Sequence, residues 1–128
     1  MRVRLLFSML LLITVNQFCA GQNPVINHLY TADPSARVFN DTLYLYPSHD
    51  QENAKWFNMR DWHVFSTTNM KDWTDYGMGL SLDSVHWATQ YAWAPDCAAY
   101  NNQYYFYFPA DRDYIGVAVS KTPYGPFK

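Results

Sequence analysis

Cysteine is scarce in this 128-residue chain. There are two, Cys19 and Cys97, so no disulfide framework can be built. Charge is also thin: charged residues make up 16%, against roughly 25% in an average domain. The formal net charge of −2 leaves no basic excess to neutralise phosphates, which argues against a nucleic-acid binder. The high-charge, aromatic-poor composition of disordered chains is missing too. The long apolar run, Leu5 to Val15, is too short to cross a bilayer, which needs about 20 residues. The length leaves room for one domain at most.

What the chain does have is rings. Aromatics make up 19%, including eleven tyrosines and five tryptophans, which suits a protein that stacks rings against something amphipathic. It also begins with an address. Arg2 and Arg4 precede the apolar run, and a more polar stretch ends in Cys19-Ala20-Gly21, small residues suited to a signal-peptidase site. An uncleaved anchor is one alternative. A lipid anchor at Cys19 is another, although Phe18 stands where lipoprotein signals usually carry a small residue. On the first reading residues 1–21 are a signal peptide and the protein is secreted or periplasmic, with no membrane span after cleavage. Loss of Arg2 and Arg4, with no acidic residue lost, takes the net charge from −2 to −4. Cys97 is then alone and is expected as a small buried core residue. His28, His49, His63 and His86 show no metal-ligand spacing, so neither a metal nor a cofactor is expected; a structural ion is left open.

The chain repeats itself. Residues 34–46 align with 95–107 at an offset of 61, placing Phe39 on Tyr100, Asn40 on Asn101, Leu43 on Tyr104 and Tyr46 on Tyr107. Each copy reads as strand, Asn/Asp-rich tight turn, strand. Residues 63–68 then match 117–122 at an offset of 54, and a fourth strand near Trp73 to Leu80 completes the first copy. The unit is an all-β, four-stranded antiparallel meander, the layout of a β-propeller blade. In Tyr104 to Phe108 both faces carry rings, as expected of a sheet packed on both sides. A two-sheet sandwich is the alternative. Propellers close with roughly four to eight blades. The chain reads as one blade and most of a second, hence as an N-terminal fragment of residues 22–128 with an uncovered aromatic face.

Candidate site residues fall where the innermost strands begin. Asp33 precedes the first strand and is expected at the mouth of the channel, held extended by Pro34. A carboxylate there can orient and deprotonate a water. Trp93 and Asp96 occupy the matching place in the second blade. Trp93 can offer a flat face to a sugar ring and Asp96 can accept hydroxyl hydrogen bonds, or the pair can be core residue and turn cap. Arg60 to His63 opens the third strand, where blade packing is the simpler role.

These motifs, in order, resemble the N-terminal part of glycoside hydrolase family 43. The matching stretches are Asn23-Pro24-Val25-Ile26, Tyr30 to Ser35, Leu43 to Tyr46 with Ser48-His49-Asp50, Asp61 to Thr68, Met70 to Gly77, Trp93 to Asp96, and Ile115 to Ser120 with Gly125-Pro126-Phe127. The resemblance implies a five-bladed propeller hydrolysing glycosidic bonds in arabinose- and xylose-containing glycans with inversion. The partners it implies are arabinoxylan, arabinan or derived oligosaccharides. It makes Asp33 the general base, opposite an acid about 6.5–9.5 Å away, and Trp93 and Asp96 neighbours of the sugar pocket. The family's general acid is a Glu on a later blade, and the only glutamate here, Glu52, does not match it. The fragment is therefore expected to be inactive by itself. A two-blade, non-catalytic sugar-binding or interaction module is the alternative function.

Overall fold

The computed structural model describes residues 24–128; the expected signal peptide lies outside the described residues. Strands β1 (Thr31–Phe39), β2 (Thr42–Asp50), β3 (Met59–Thr67) and β4 (Thr74–Ser81) form one antiparallel sheet in chain order. A 3-10 turn at Leu82–Ser84 and a connector lead to β5 (Asp96–Tyr100), β6 (Gln103–Ala110) and β7 (Tyr114–Ser120), a second sheet also in chain order.

Local chemistry sets the hairpins. Asn40 and Asp41 have φ of 49° and 59°, and Asn101 and Asn102 have 49° and 57°. The flanking pairs are Phe39 with Thr42 and Tyr100 with Gln103. Both are thus two-residue loops with left-handed central residues, the turn that matches strand twist and that Asn and Asp tolerate. The repeat seen in the sequence is one turn device used twice. After β3 the Thr67 hydroxyl accepts the amides of Asn69 and Met70, and the Asn69 side chain accepts those of Lys71 and Asp72, which turns the chain into β4.

Alternation along the strands then sorts the rings. Phe106 and Phe108 are buried against the first sheet, while Tyr107, on the opposite face, is 40% exposed. The shared core holds Tyr44, Tyr46, Trp62, Val64 and Leu80 from the first sheet and Cys97, Phe106, Phe108 and Ala118 from the second, with Phe127. Trp62 lies 5.1 Å from Phe108 and 5.8 Å from Phe106, and Phe106 lies 4.8 Å from Phe127 (all between ring centroids). Offset and edge contacts at these distances add about 0.5–1.5 kcal/mol per pair to the burial of the rings. The Tyr46 hydroxyl donates to the Pro123 carbonyl at 2.7 Å, so its polar end is satisfied. Burial pushes the Cys97 thiol up to about 11, which keeps it protonated and unreactive.

Each sheet is a sequential meander, and the first strands, β1 and β5, pack side by side. That is the arrangement of two consecutive propeller blades and not of a sandwich whose strands cross between sheets. The Phe127 amide donates to the Gly79 carbonyl at 2.9 Å, and Lys128 exchanges two backbone bonds with Val119, at 2.8 and 3.1 Å, along the outer edge of β7.

One expectation is corrected here. Asp33 is not extended: its φ is +48°. Between the pairs Ala32–Ser48 and Ser35–Tyr46, β1 has two residues, Asp33 and Pro34, against the single Pro47 of β2. Neither proline can donate to the ladder, so a bulge forms, and the first bulge position takes the left-handed conformation that a short Asp tolerates.

Gly116 shows how tight the second sheet is. A Cβ there would lie 2.3 Å from Phe108 Cζ and 2.7 Å from Trp87 Cζ2. Gly116→Ala is expected to lower stability by about 1–3 kcal/mol through overpacking, read as a fall in the urea midpoint at unchanged slope.

Candidate functional site

The bulge displaces Asp33 from the regular ladder at the start of β1, on the exposed inner edge of the first sheet. Thr31 pairs with His49, and the Asp50 amide donates to the Tyr30 carbonyl at 2.9 Å, so the end of β2 lies beside the start of β1. The loop that leaves β2, residues 51–58, therefore rises from the same rim. It presents Trp56 and Phe57, 66% and 59% exposed, with ring centroids 5.2 Å apart and edge to face. A cleft lies on each side of this loop. One, of about 470 Å³, is bounded by Tyr30, Asp50 and Lys55 among others; the second, of about 290 Å³, by Asn58, Gln90 and Tyr91. Trp56 and Phe57 line both. Asp33 lines neither.

The connector before β5 supplies the opposite bank. It is pinned from several sides. The Ala92 amide donates to Met59 O at 3.0 Å. Arg60 donates to the Thr89 carbonyl and to Asp83, both at 2.7 Å. Asp111 accepts the Gln90 amide at 3.0 Å. Arg112 donates to the Tyr91 hydroxyl at 3.0 Å and sits over its ring at 4.7 Å. Tyr91 and Trp93 rings are 5.0 Å apart. Trp93 is half-buried against the core, and its carbonyl accepts the Trp62 indole N–H at 2.8 Å. Of the sequence's two alternatives, Trp93 shows the packing contact; its ring meets Tyr91, which bounds the second cleft, but lines neither cleft itself.

Asp96 has a definite partner. Arg37 of β1 grips both its carboxylate oxygens, with Nε to Oδ1 at 2.8 Å, and the Cys97 amide donates to Oδ1 at 2.8 Å. This fork joins the inner strands of the two sheets. The Arg37 hydrogen bond holds the Asp96 carboxyl below its ordinary range, against partial desolvation. Arg60, Asp61, Trp62 and His63 begin β3 as expected: Trp62 enters the blade interface, and Arg60 fastens the connector. Glu52 stands exposed in the 51–58 loop.

Sequence spacing missed two groups. Trp56 and Phe57 carried no motif, although adjacent rings in a polar loop are a usable signal. His49, Asp61 and His63 converge although their spacing suggested no ligand set, because β2–β3 register pairs His49 with Asp61, and His63 follows two residues on along the same face.

Two consecutive meander blades packed along their first strands define a β-propeller protein. The chain belongs to glycosyl hydrolases family 43, whose model matches residues 21–128. The xylosidase/arabinosidase 43A of Humicola insolens is 46% identical over 118 residues, 81% of this chain and 36% of that protein. A xylosidase/arabinosidase of Bacteroides ovatus is 42% identical over 77% of this chain and 34% of its own length. Among solved structures, a family 43 β-xylosidase/α-arabinofuranosidase from a compost microbial metagenome, in calcium-free form with xylotriose, matches with a TM-score of 0.79 at 43% identity. It covers 85% of this chain and 37% of that one. A family 43 enzyme of Xanthomonas citri complexed with xylose gives 0.75 at 47% identity, over 80% and 32%. The chain spans about a third of the length of these relatives.

The Arg37–Asp96 fork makes a pH prediction. Because the folded-state pKa of Asp96 lies below its ordinary 3.8, the contribution is full above that value and is lost as pH falls through the lowered one. Asp96→Asn is expected to lower the melting temperature at neutral pH, with the difference from wild type shrinking as pH drops below about 4; melting curves across that range measure it.

Proposed function

We propose that this chain provides the first two blades of an exported, inverting glycoside hydrolase acting on xylose- and arabinose-containing glycans, with Asp33 as its general base. The observation that carries the reading is the placement of Asp33. It is an exposed carboxylate, set in a left-handed bulge on the inner edge of the first blade. Relatives at 46% and 42% identity bear xylosidase/arabinosidase names, and matched structures hold xylotriose or xylose, which supports the substrate class.

In this reading Asp33 takes a proton from a water as that water attacks the anomeric carbon. An acid from outside these residues protonates the leaving oxygen from the other side. The rim does the binding. Sugar rings have apolar C–H faces and polar edges, so exposed Trp56 and Phe57 suit the faces, and Trp93 would join them from behind Tyr91. Asp96 acts by way of its fork with Arg37, which joins β1 to β5. Export rests on the basic, apolar and small-residue order of residues 1–21. Among the described residues no helix is long and apolar enough to cross a membrane.

Two measurements test this in the protein carrying the rest of the propeller, on aryl xylosides and arabinofuranosides. Asp33→Asn is expected to cut kcat by about 10²–10⁴ with KM little changed; a wild-type kcat removes Asp33 from the chemistry. Trp56→Ala and Phe57→Ala are expected to raise KM for oligosaccharides about 2- to 10-fold each, the loss of one aromatic contact of about 0.5–1.5 kcal/mol. Unchanged KM in both places the sugar elsewhere.

A further inference from the structure

On the face of the first sheet turned away from the second, His49 of β2 and Asp61 and His63 of β3 bring their ligand atoms within 4.8 Å of one another. His49 Nδ1 lies 2.9 Å from Asp61 Oδ1, and His63 Nε2 lies 3.5 Å from the same oxygen. The two imidazole rings are 4.8 Å apart at 61°, and the His63 ring stacks on Phe65 at 6.2 Å. All three side chains are about four-fifths buried or more. His63 Nδ1 is buried with no hydrogen-bond partner, so packing and not hydrogen bonding fixes that ring, with Nε2 aimed at the carboxylate.

We infer that His49, Asp61 and His63 form a binding site for a divalent first-row cation of the zinc type. Three donors around a zinc ion at bonds of about 2.0–2.1 Å stand about 3.3 Å apart in a tetrahedral set. The two separations to the shared Asp61 oxygen, 2.9 and 3.5 Å, bracket that figure, and the three donor atoms all lie within 4.8 Å of one another. The donor set decides the class of ion. Two imidazole nitrogens and one carboxylate suit zinc, cobalt or nickel, whereas calcium takes six to eight oxygens and finds a single carboxylate here. Three protein ligands leave a fourth position for water.

The pleat positions these ligands without any loop. The cross-strand pair and the i, i+2 pair share one face because side chains alternate along a strand. Binding requires His49 to carry its proton on Nε2 and His63 on Nδ1, freeing the two nitrogens that face Asp61. Without a cation Asp61 Oδ1 pairs with His49 Nδ1 at 2.9 Å, and His63 Nε2 stands 3.5 Å from the same oxygen. The site is built on rigid strands, and none of its three residues lines the clefts beside Trp56 and Phe57.

The test uses the chain freed of metal by chelation and titrated with Co²⁺, then with Zn²⁺ and Ca²⁺ in competition. One Co²⁺ per chain is expected, with the intense visible absorption of a low-coordinate site, displaced by Zn²⁺ and not by Ca²⁺. Asp61→Asn and His63→Gln are expected to weaken binding at least about 10-fold, the loss that even outer-sphere changes can cause. His28→Gln and His86→Gln are expected to leave it unchanged. Should the ligand variants fail to fold, Zn²⁺ titration of the wild-type chain followed by histidine ring NMR decides the matter: the His49 and His63 resonances shift and those of His28 and His86 do not. No stoichiometric binding, displacement by Ca²⁺, equal affinity in the ligand variants, or shifts confined to His28 or His86 each overturn the proposal.

Discussion

The structure depends on one buried tryptophan. Trp62 is fully enclosed between the sheets, with its ring against Phe106 and Phe108. Its one polar atom, the indole N–H, reaches the Trp93 carbonyl. The ring supplies much of the apolar area that holds two meanders together, and the N–H is satisfied at the foot of the connector that forms one bank of the rim. An indole in this position serves both ends because its apolar body and polar edge are at opposite sides of a rigid ring. Core and rim are thereby positioned by the same residue.

The sparse charge is concentrated where geometry matters. Arg37 and Asp96 tie the inner strands. Arg60, Asp111 and Arg112 hold the connector by its carbonyls, amides and the Tyr91 hydroxyl. Exposed ion pairs contribute little stability individually, so their value here is orientational: Arg37 and Asp96 align two strands, and Arg60 and Arg112 fix the connector that carries Tyr91. With the connector fixed in this way, Tyr91 bounds the second cleft together with Trp56 and Phe57.

Much of the fold was legible in the sequence because its signals are local. Asn40-Asp41 and Asn101-Asn102 dictate tight turns by their own conformational tolerance, and alternation in Tyr104 to Phe108 sorts the rings into two faces, of which the structure packs that of Phe106 and Phe108 on the neighbouring sheet. The site was less legible. Asp33 could be placed at the start of β1, but its left-handed conformation depends on Pro47 lying opposite Pro34, which is a matter of register and not of the Asp-Pro dipeptide. The hold of Arg37 on Asp96 spans two sheets and leaves no periodic trace in the chain. His49, Asp61 and His63 escaped spacing rules for the same reason, since antiparallel pairing brings residues 12 apart into contact.

By itself, then, the sequence determined the blade as a unit. Turn residues, strand alternation and a repeated motif are properties of short stretches, and their energetics are settled within a hairpin. Which carboxylate is exposed, which is clasped by an arginine and which sits between two imidazoles was decided only by tertiary structure. A carboxylate's chemistry is set by the charges, donors and water around it, and those neighbours come from strands far apart in the chain.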